Sequence, residues 1–301
     1  MSSPILSVRG LSKSYASFQA VNQLSFTVNE GDVYGFLGPN GAGKSTTIRM
    51  LLSLIYPDSG EVELFGKNLY KHREWVLSQI GAIVEKPDFY GYLSAMRNLE
   101  VLGRLQAVPV TPSRMQEVLH WVGLSDRANS PVKTFSQGMK QRLGLAQALL
   151  HQPKLIILDE PTNGLDPQGM RDIRELILSL QREQGITIFL SSHILSEVEI
   201  MANRMVIIQK GKAVVEGNVR DILRGFNTGL QVETSHADAF IERLGTSAFA
   251  GSLRRAEEHK IILNLAADQA PAVAAWMVEL GLPIESISPL RTLEDYFISQ
   301  T

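Results

Sequence analysis

The stretch GPNGAGKST, from Gly38 to Thr46, constrains this chain more than any other. It fits the pattern G-x-x-x-x-G-K-[ST] and has the setting that pattern requires. Asp32–Leu37 before it reads as a short apolar strand, and Thr46–Leu54 after it reads as a helix. Glycine lets backbone N–H groups turn inward with no Cβ in the way. Gly38, Gly41 and Gly43, with Pro39, Asn40 and Ala42 between them, can therefore build an anion nest at a helix N-terminus. Lys44 is placed to reach the β- and γ-phosphates of a nucleotide, the Ser45 hydroxyl to ligate Mg²⁺, and Thr46 adds a further phosphate contact.

Two more apolar runs end in chemistry-bearing residues. Lys154–Leu158 and Ile186–Leu190 are compact and uninterrupted, as expected of central parallel strands covered on both faces. The first ends in Asp159 and Glu160, at the strand edge where ligands of α/β sheets bind. Asp159 suits a Mg²⁺ shell. Glu160, the next residue, faces the other way on an ideal strand and must swing toward the phosphates to act as a general base. The second run leads into Ser191, Ser192 and His193, and a histidine there can donate to a γ-phosphate and sense its loss. The other histidines (His72, His120, His151, His236 and His259) show no metal spacing.

The rest of the chain frames this site. Ile5–Arg9 and Leu24–Val28 alternate like half-buried strands, Met205–Gln209 and Ala213–Glu216 read as a hairpin through Lys210 and Gly211, and 93–150 turns helical. The pattern predicts an α/β core with an antiparallel β appendage over residues 1–222. A join near Arg224–Gly229 leads to a second domain over 226–301. Its elements read as strand 230–234, helix 237–244, strands near 247–254 and 259–265, helix 269–280, strand 284–288 and helix 293–299. This is a small α+β, split βαβ-like unit, with Thr292 and Asp295 capping the last helix. Leu293, Tyr296 and Phe297 share one face of that helix. No catalytic constellation is visible in this tail. The overall charge is −2, divided into −5 from Phe226 onward and +3 before it, which argues against a nucleic-acid partner held by phosphate attraction. The absence of cysteine excludes disulfides and thiolate sites. No run of about 18 apolar residues and no leader-like N-terminus is present, so neither a membrane span nor export of the chain itself is expected.

The residues Thr134–Arg142, TFSQGMKQR, are the most discriminating. They resemble the LSGGQ signature of ABC transporter nucleotide-binding subunits, with Ser136 and Gly138 matching and Gln137 and Met139 departing from the commonest form. The resemblance spans about 5–220 in the family order. It implies a P-loop NTPase core with an antiparallel β subdomain and a helical signature subdomain. It also implies an ATPase using ATP and Mg²⁺, with Lys44 holding phosphates, Ser45 and Asp159 organising Mg²⁺, Glu160 activating water and His193 reading the γ-phosphate. Tyr15 resembles the aromatic that stacks on adenine. The Asn163–Asp166 turn resembles the loop that crosses to a partner subunit. Glu85 falls where the family usually has a glutamine near Mg²⁺, and glutamate there resembles ABC-2-type exporters of the bacitracin- and multidrug-resistance subgroup.

The family geometry sets Ser136, Gln137 and Gly138 against the P-loop of a second subunit. The implied assembly is a head-to-tail dimer, with a second copy or a homologous subunit, peripheral on the cytoplasmic face of the inner membrane and driving a separate membrane-spanning permease. Phe89, Tyr90 and Tyr92 are either anchors for that permease or packing residues of the helical subdomain. The tail stabilises the dimer or binds a regulator. The alternatives are an importer subunit, a non-hydrolysing regulator, and a soluble ABC protein acting on ribosomes or DNA. The last fits poorly, because the chain carries one cassette and Lys44 and Asp159 lie only 115 positions apart with no sustained heptads between them.

Overall fold

The computed structural model describes residues 4–85, 87–106, 109–225, 229–257 and 259–289. The chain divides into two compact units, Met1–Asn218 and Val219–Thr301. The division falls at 218/219, because helix Val219–Gly225 groups with the second unit.

The first unit holds two sheets. Strands β1 (Pro4–Tyr15), β2 (Phe18–Asn29), β4 (Ser59–Leu64) and β5 (Lys67–Asn68) form an antiparallel sheet in the order β2-β1-β4-β5. Strands β3 (Val33–Leu37), β6 (Ile80–Ile83), β7 (Leu155–Leu158), β8 (Thr187–Ser192), β9 (Arg204–Gln209) and β10 (Lys212–Asn218) form the second, in the order β10-β9-β3-β8-β7-β6. This sheet is parallel except for β10, which turns back on β9 as a hairpin. Every residue of β3, β7 and β8 is buried, which is why these strands read as unbroken apolar runs rather than alternating ones.

Phe26 of the first sheet stacks on Tyr34, Phe36 and Phe189 of the second, with ring centroids 5.4–5.9 Å apart. These rings join the sheets in one apolar core. Phe189→Ala opens a cavity directly under the strand that delivers His193. We expect it to cost about 3–5 kcal/mol, read as a lower urea midpoint at unchanged slope.

Helix α1 (Lys44–Leu51) follows β3, starting at Gly43 and ending before Ser53, which has a positive φ. The short helix α2 (Arg73–Leu77) precedes β6. The segment predicted helical contains α3 (Ala95–Gly103), α4 (Pro112–Trp121) and α5 (Gln137–Leu149). Each begins at a hydroxyl N-cap: Ser94, Thr111 and Ser136 accept from the backbone N–H groups of Arg97, Arg114 and Met139 at 3.2 Å. Helix α6 (Pro167–Gln184) starts at the Asp166 cap and stops at Gly185 in the left-handed region. Helix α7 (Leu195–Met201) follows β8.

The second unit contains α8 (Val219–Gly225), β11 (Leu230–Glu233), α9 (Ala237–Leu244), β12 (Leu253–Ala256), β13 (Lys260–Leu263), α10 (Ala270–Glu279) and β14 (Ser286–Pro289). Its sheet runs β12-β13-β11-β14 with all neighbours antiparallel. Strand β13 thus lies between β11 and β12, and β11 between β13 and β14, giving two interlaced split βαβ turns. Leu230, Val232, Ile261 and Leu263 pack against Phe240, Leu244, Val273 and Met277 of the helices. Strand β12 begins later than the sequence pattern suggests, because residues near 246–252 form hydrogen-bonded turns instead. The predicted helix 293–299 and its Thr292–Asp295 cap lie outside the described residues.

Candidate functional site

Strand order brings three chain segments to one sheet edge. β3 pairs with β8, Leu37 opposite Ser192, and β8 pairs with β7, Leu158 opposite Leu190. The residues leaving the C-terminal ends of these strands are the Gly38–Gly43 loop, Asp159 with Glu160, and His193. Residues of the loop, Glu160 and His193 line a polar cleft of about 480 Å³, and Asp159 is not among its lining residues.

The loop from Gly38 encloses part of this cleft. Gly43 has φ +105°, and a Cβ there would lie 2.4 Å from the Ala20 carbonyl oxygen. Asn40, Gly41, Gly43, Lys44, Ser45 and Thr46 line the cleft, together with Phe18 and Ala20 of β2. Gly43→Ala combines a strained backbone with a backbone clash. We expect about 1–3 kcal/mol of lost stability, read by thermal melting, and loss of the cradle, read as weaker nucleotide binding.

Lys44 is only 6% exposed. Its ammonium donates to Gly38 O at 2.7 Å and Pro39 O at 3.3 Å and lies 3.2 Å from Glu160 Oε1. Buried cations need such partners. Glu160 reaches the cleft by a route that strand geometry does not supply. β7 ends at Leu158, and Glu160 has φ +51°, so the chain leaves the extended conformation and the carboxylate turns toward Lys44. His193 Nδ1 donates to Glu160 Oε2 at 2.5 Å. Asp159 is 7% exposed, and its Oδ1 accepts from Ser191 Oγ at 2.6 Å. The same Ser191 oxygen accepts from the Glu160 amide at 2.9 Å. Ser191 therefore fixes both acids, a role hidden in the sequence because a serine beside a histidine carries no signal of its own.

The hard oxygen donors Ser45 Oγ and Asp159 suit Mg²⁺ in kind. Among the described residues no group of three or more acidic or histidine side chains forms an all-protein cage.

Two further expected site residues also lie outside the lining of this cleft. Glu85 is one of them. It is exposed and paired with Arg49 on α1 at 2.7 Å, its own φ being +65°. Tyr15 is not among the cleft residues either. It sits across the hairpin from Phe18, under the Lys13 ammonium at 5.9 Å, and Phe18 is the aromatic that lines the cleft. A two-residue turn makes Tyr15 and Phe18 neighbours, and the sequence does not say which ring lines the cleft.

A second cleft, about 510 Å³, lies at the start of α5 and α6. Ser136, Gln137 and Gly138 line it, with Asp166 opposite. Arg142 of α5 pairs with Asp172 of α6 at 2.5 Å, and Gln168 donates to the same carboxylate at 2.7 Å, which holds the two helix starts together. Asn163 lines the first cleft while Gly164, Leu165 and Asp166 line the second, so one short turn touches both. Tyr90 and Tyr92 are exposed at 50% and 74% and stack edge to face, whereas Phe89 is half-buried. Buried Asn98 fastens that loop by bonding both the N–H and C=O of Tyr90.

Among the described residues no helix is long and apolar enough to cross a membrane. Residues 21–163 match the ABC transporter family. An ABC transporter ATP-binding protein of Bacillus subtilis, YhcH, is 41% identical over 99% of this chain and 96% of its own length. The bacitracin transport ATP-binding protein BcrA of Bacillus licheniformis is 51% identical over 71% of this chain and 70% of its own. A solved ATP-binding subunit of an ABC transporter superposes with TM-score 0.64 at 31% identity, covering 74% of this chain and 93% of that one. The phosphate cradle, the paired acids, the histidine and the signature helix thus occur in family order on the family's fold, and the chain belongs to the ABC transporter ATP-binding proteins.

Proposed function

We propose that this protein hydrolyses ATP as a head-to-tail dimer and energises export through a separate membrane-spanning permease. The observation that carries the reading is the convergence of Lys44, Glu160 and His193 on one cleft, while Ser136–Gly138 line a different one. One chain thus offers two half-sites, and an ATP bound by the first needs the second from another copy.

In this reading Lys44 and the loop amides hold the phosphates and Phe18, next to Tyr15, supports the adenine face. Glu160 accepts a proton from the water that attacks the γ-phosphorus. The bond from that phosphorus to the bridging oxygen breaks, leaving ADP and inorganic phosphate. When bound, Mg²⁺ neutralises developing phosphate charge, with Ser45 and Asp159 as its protein ligands. His193 holds Glu160 in the free chain and donates to the γ-phosphate once ATP is bound. Loss of the γ-phosphate weakens contacts on both faces and opens the dimer.

Export is supported by the segment GAIVEKPDFYGYLSAMRNL around Glu85, by relatives named for bacitracin and lantibiotic transport, and by a Nod factor export ATP-binding protein of Ralstonia nicotianae, 36% identical over 74% of this chain. In this reading the exposed Tyr90–Tyr92 pair on the Asn98-fastened loop is the surface offered to the permease, and the chain works at the cytoplasmic face of the membrane. The second unit, with no reactive cluster among its described residues, serves dimerisation or regulation.

The test is turnover of purified chain with ATP and Mg²⁺. Specific activity should rise with chain concentration, as dimerisation requires, and Lys44→Ala should lose nucleotide binding. Turnover independent of concentration would overturn the dimeric mechanism.

A further inference from the structure

We infer that the Glu160 carboxylate is an internal competitor of the nucleotide's terminal phosphate, so that nucleotide binding must first displace the residue that later activates water. This deepens the reading above and rests on it.

Two cations or donors of the cleft are the natural holders of a terminal phosphate, Lys44 and His193, and one carboxylate engages both. Oε1 lies 3.2 Å from the Lys44 ammonium and Oε2 accepts from His193 Nδ1 at 2.5 Å. Each carboxylate oxygen has a separate donor, a two-pronged arrangement that a phosphate with several equivalent oxygens reproduces. Glu160 is about four-fifths buried and Lys44 almost wholly so, which leaves little water to screen the pair.

The backbone shows that this position is held by its surroundings. Glu160 sits at φ +51°, a region that a glutamate enters at a cost. Its amide is fixed by Ser191 Oγ, which also holds Asp159. The backbone is thus pinned by the fold, while the carboxylate is held only by Lys44 and His193, the two groups a phosphate would engage. Side-chain rotation alone can release the carboxylate from Lys44 and His193, with water as its alternative partner. A terminal phosphate arriving at Lys44 makes that exchange favourable, because it brings more negative charge to the same cation. A diphosphate, lacking the terminal group, contests the carboxylate less.

Competition differs from simple charge repulsion in its dependence on reach. Glu160→Gln removes the charge. Glu160→Asp keeps the charge but is one methylene shorter, so it cannot span Lys44 and His193 together. The probes are the imido analogue of ATP, which resists cleavage, and ADP, each with Mg²⁺. They are titrated calorimetrically into the full chain at concentrations where light scattering reports a monomer. The expected result is that both variants bind the triphosphate analogue about five- to tenfold more tightly than the parent, roughly 1–1.4 kcal/mol. ADP affinity should change less, and retained ADP binding also shows that the variants are folded. Tightening in Glu160→Gln with no change in Glu160→Asp would reveal repulsion only and overturn the competition. Unchanged or weaker analogue binding in both variants would overturn it too. Failure of the parent chain to bind either nucleotide would instead remove the nucleotide reading itself.

Discussion

Glu160→Gln is expected to slow ATP turnover by roughly 10²–10⁴-fold, the range that a positioned general base contributes. Glutamine is nearly isosteric and accepts from His193 Nδ1 as glutamate does, but it does not take a proton from water at neutral pH. The cleft itself should persist. Gly38 O and Pro39 O still hold Lys44, and the position-160 amide still donates to Ser191. Turnover should therefore collapse while ATP-dependent dimerisation, followed by size-exclusion chromatography with light scattering, survives. Turnover equal to that of the parent would remove Glu160 from the mechanism. This readout is separate from the affinity comparison above, since an uncleavable analogue reports no chemistry.

The second large effect is predicted far from Lys44. Ser136→Arg should reduce turnover by about 10²–10³-fold, the scale of losing one preorganised donor to a transition-state oxygen. Ser136 caps α5 through its bond to the Met139 amide, and losing a cap costs about 1 kcal/mol, too little to unfold the chain. The arginine instead fills the cleft shared with Gly138 and Asp166. Nucleotide affinity of the variant's own phosphate cleft should remain. The decisive measurement mixes Ser136→Arg chains with Lys44→Ala chains. Each is inactive alone, yet a mixed head-to-tail dimer has one composite site with both halves intact, so activity should return on mixing. No recovery would show that the two clefts do not complete each other between chains.

The same residues show what was legible beforehand. Gly38–Thr46, Asp159–Glu160 and His193 stand out because each sits at the end of a short apolar run, and parallel strands put such ends on one edge. Of the three hydroxyl caps, Ser136 was legible from the signature stretch, whereas Ser94 and Thr111 resemble any loop hydroxyl until the helix after them is known. Helix α9 coincides with the predicted 237–244, whereas β12 moved because turn hydrogen bonds claimed the residues ahead of it. Glu85 and Tyr15 lie outside the cleft lining for a common reason. Family position specifies a loop or a strand end, but the side chain's direction depends on its neighbours, Arg49 for the one and the hairpin turn for the other.

Taken alone, the order of amino acids determined the chemistry available to this protein: a glycine-lined anion nest, a lysine placed to reach phosphates, two acids, a histidine and a capped signature helix. These follow from residue type, spacing and local periodicity, which are properties of short segments. Only the tertiary structure decided which groups touch. That Glu160 faces Lys44 and His193, that Ser191 holds both acids, and that Phe18 lines the cleft all depend on strand order and on one left-handed backbone angle after β7. Such contacts join residues more than 30 to more than 110 positions apart, and no local pattern encodes a pairing between distant segments.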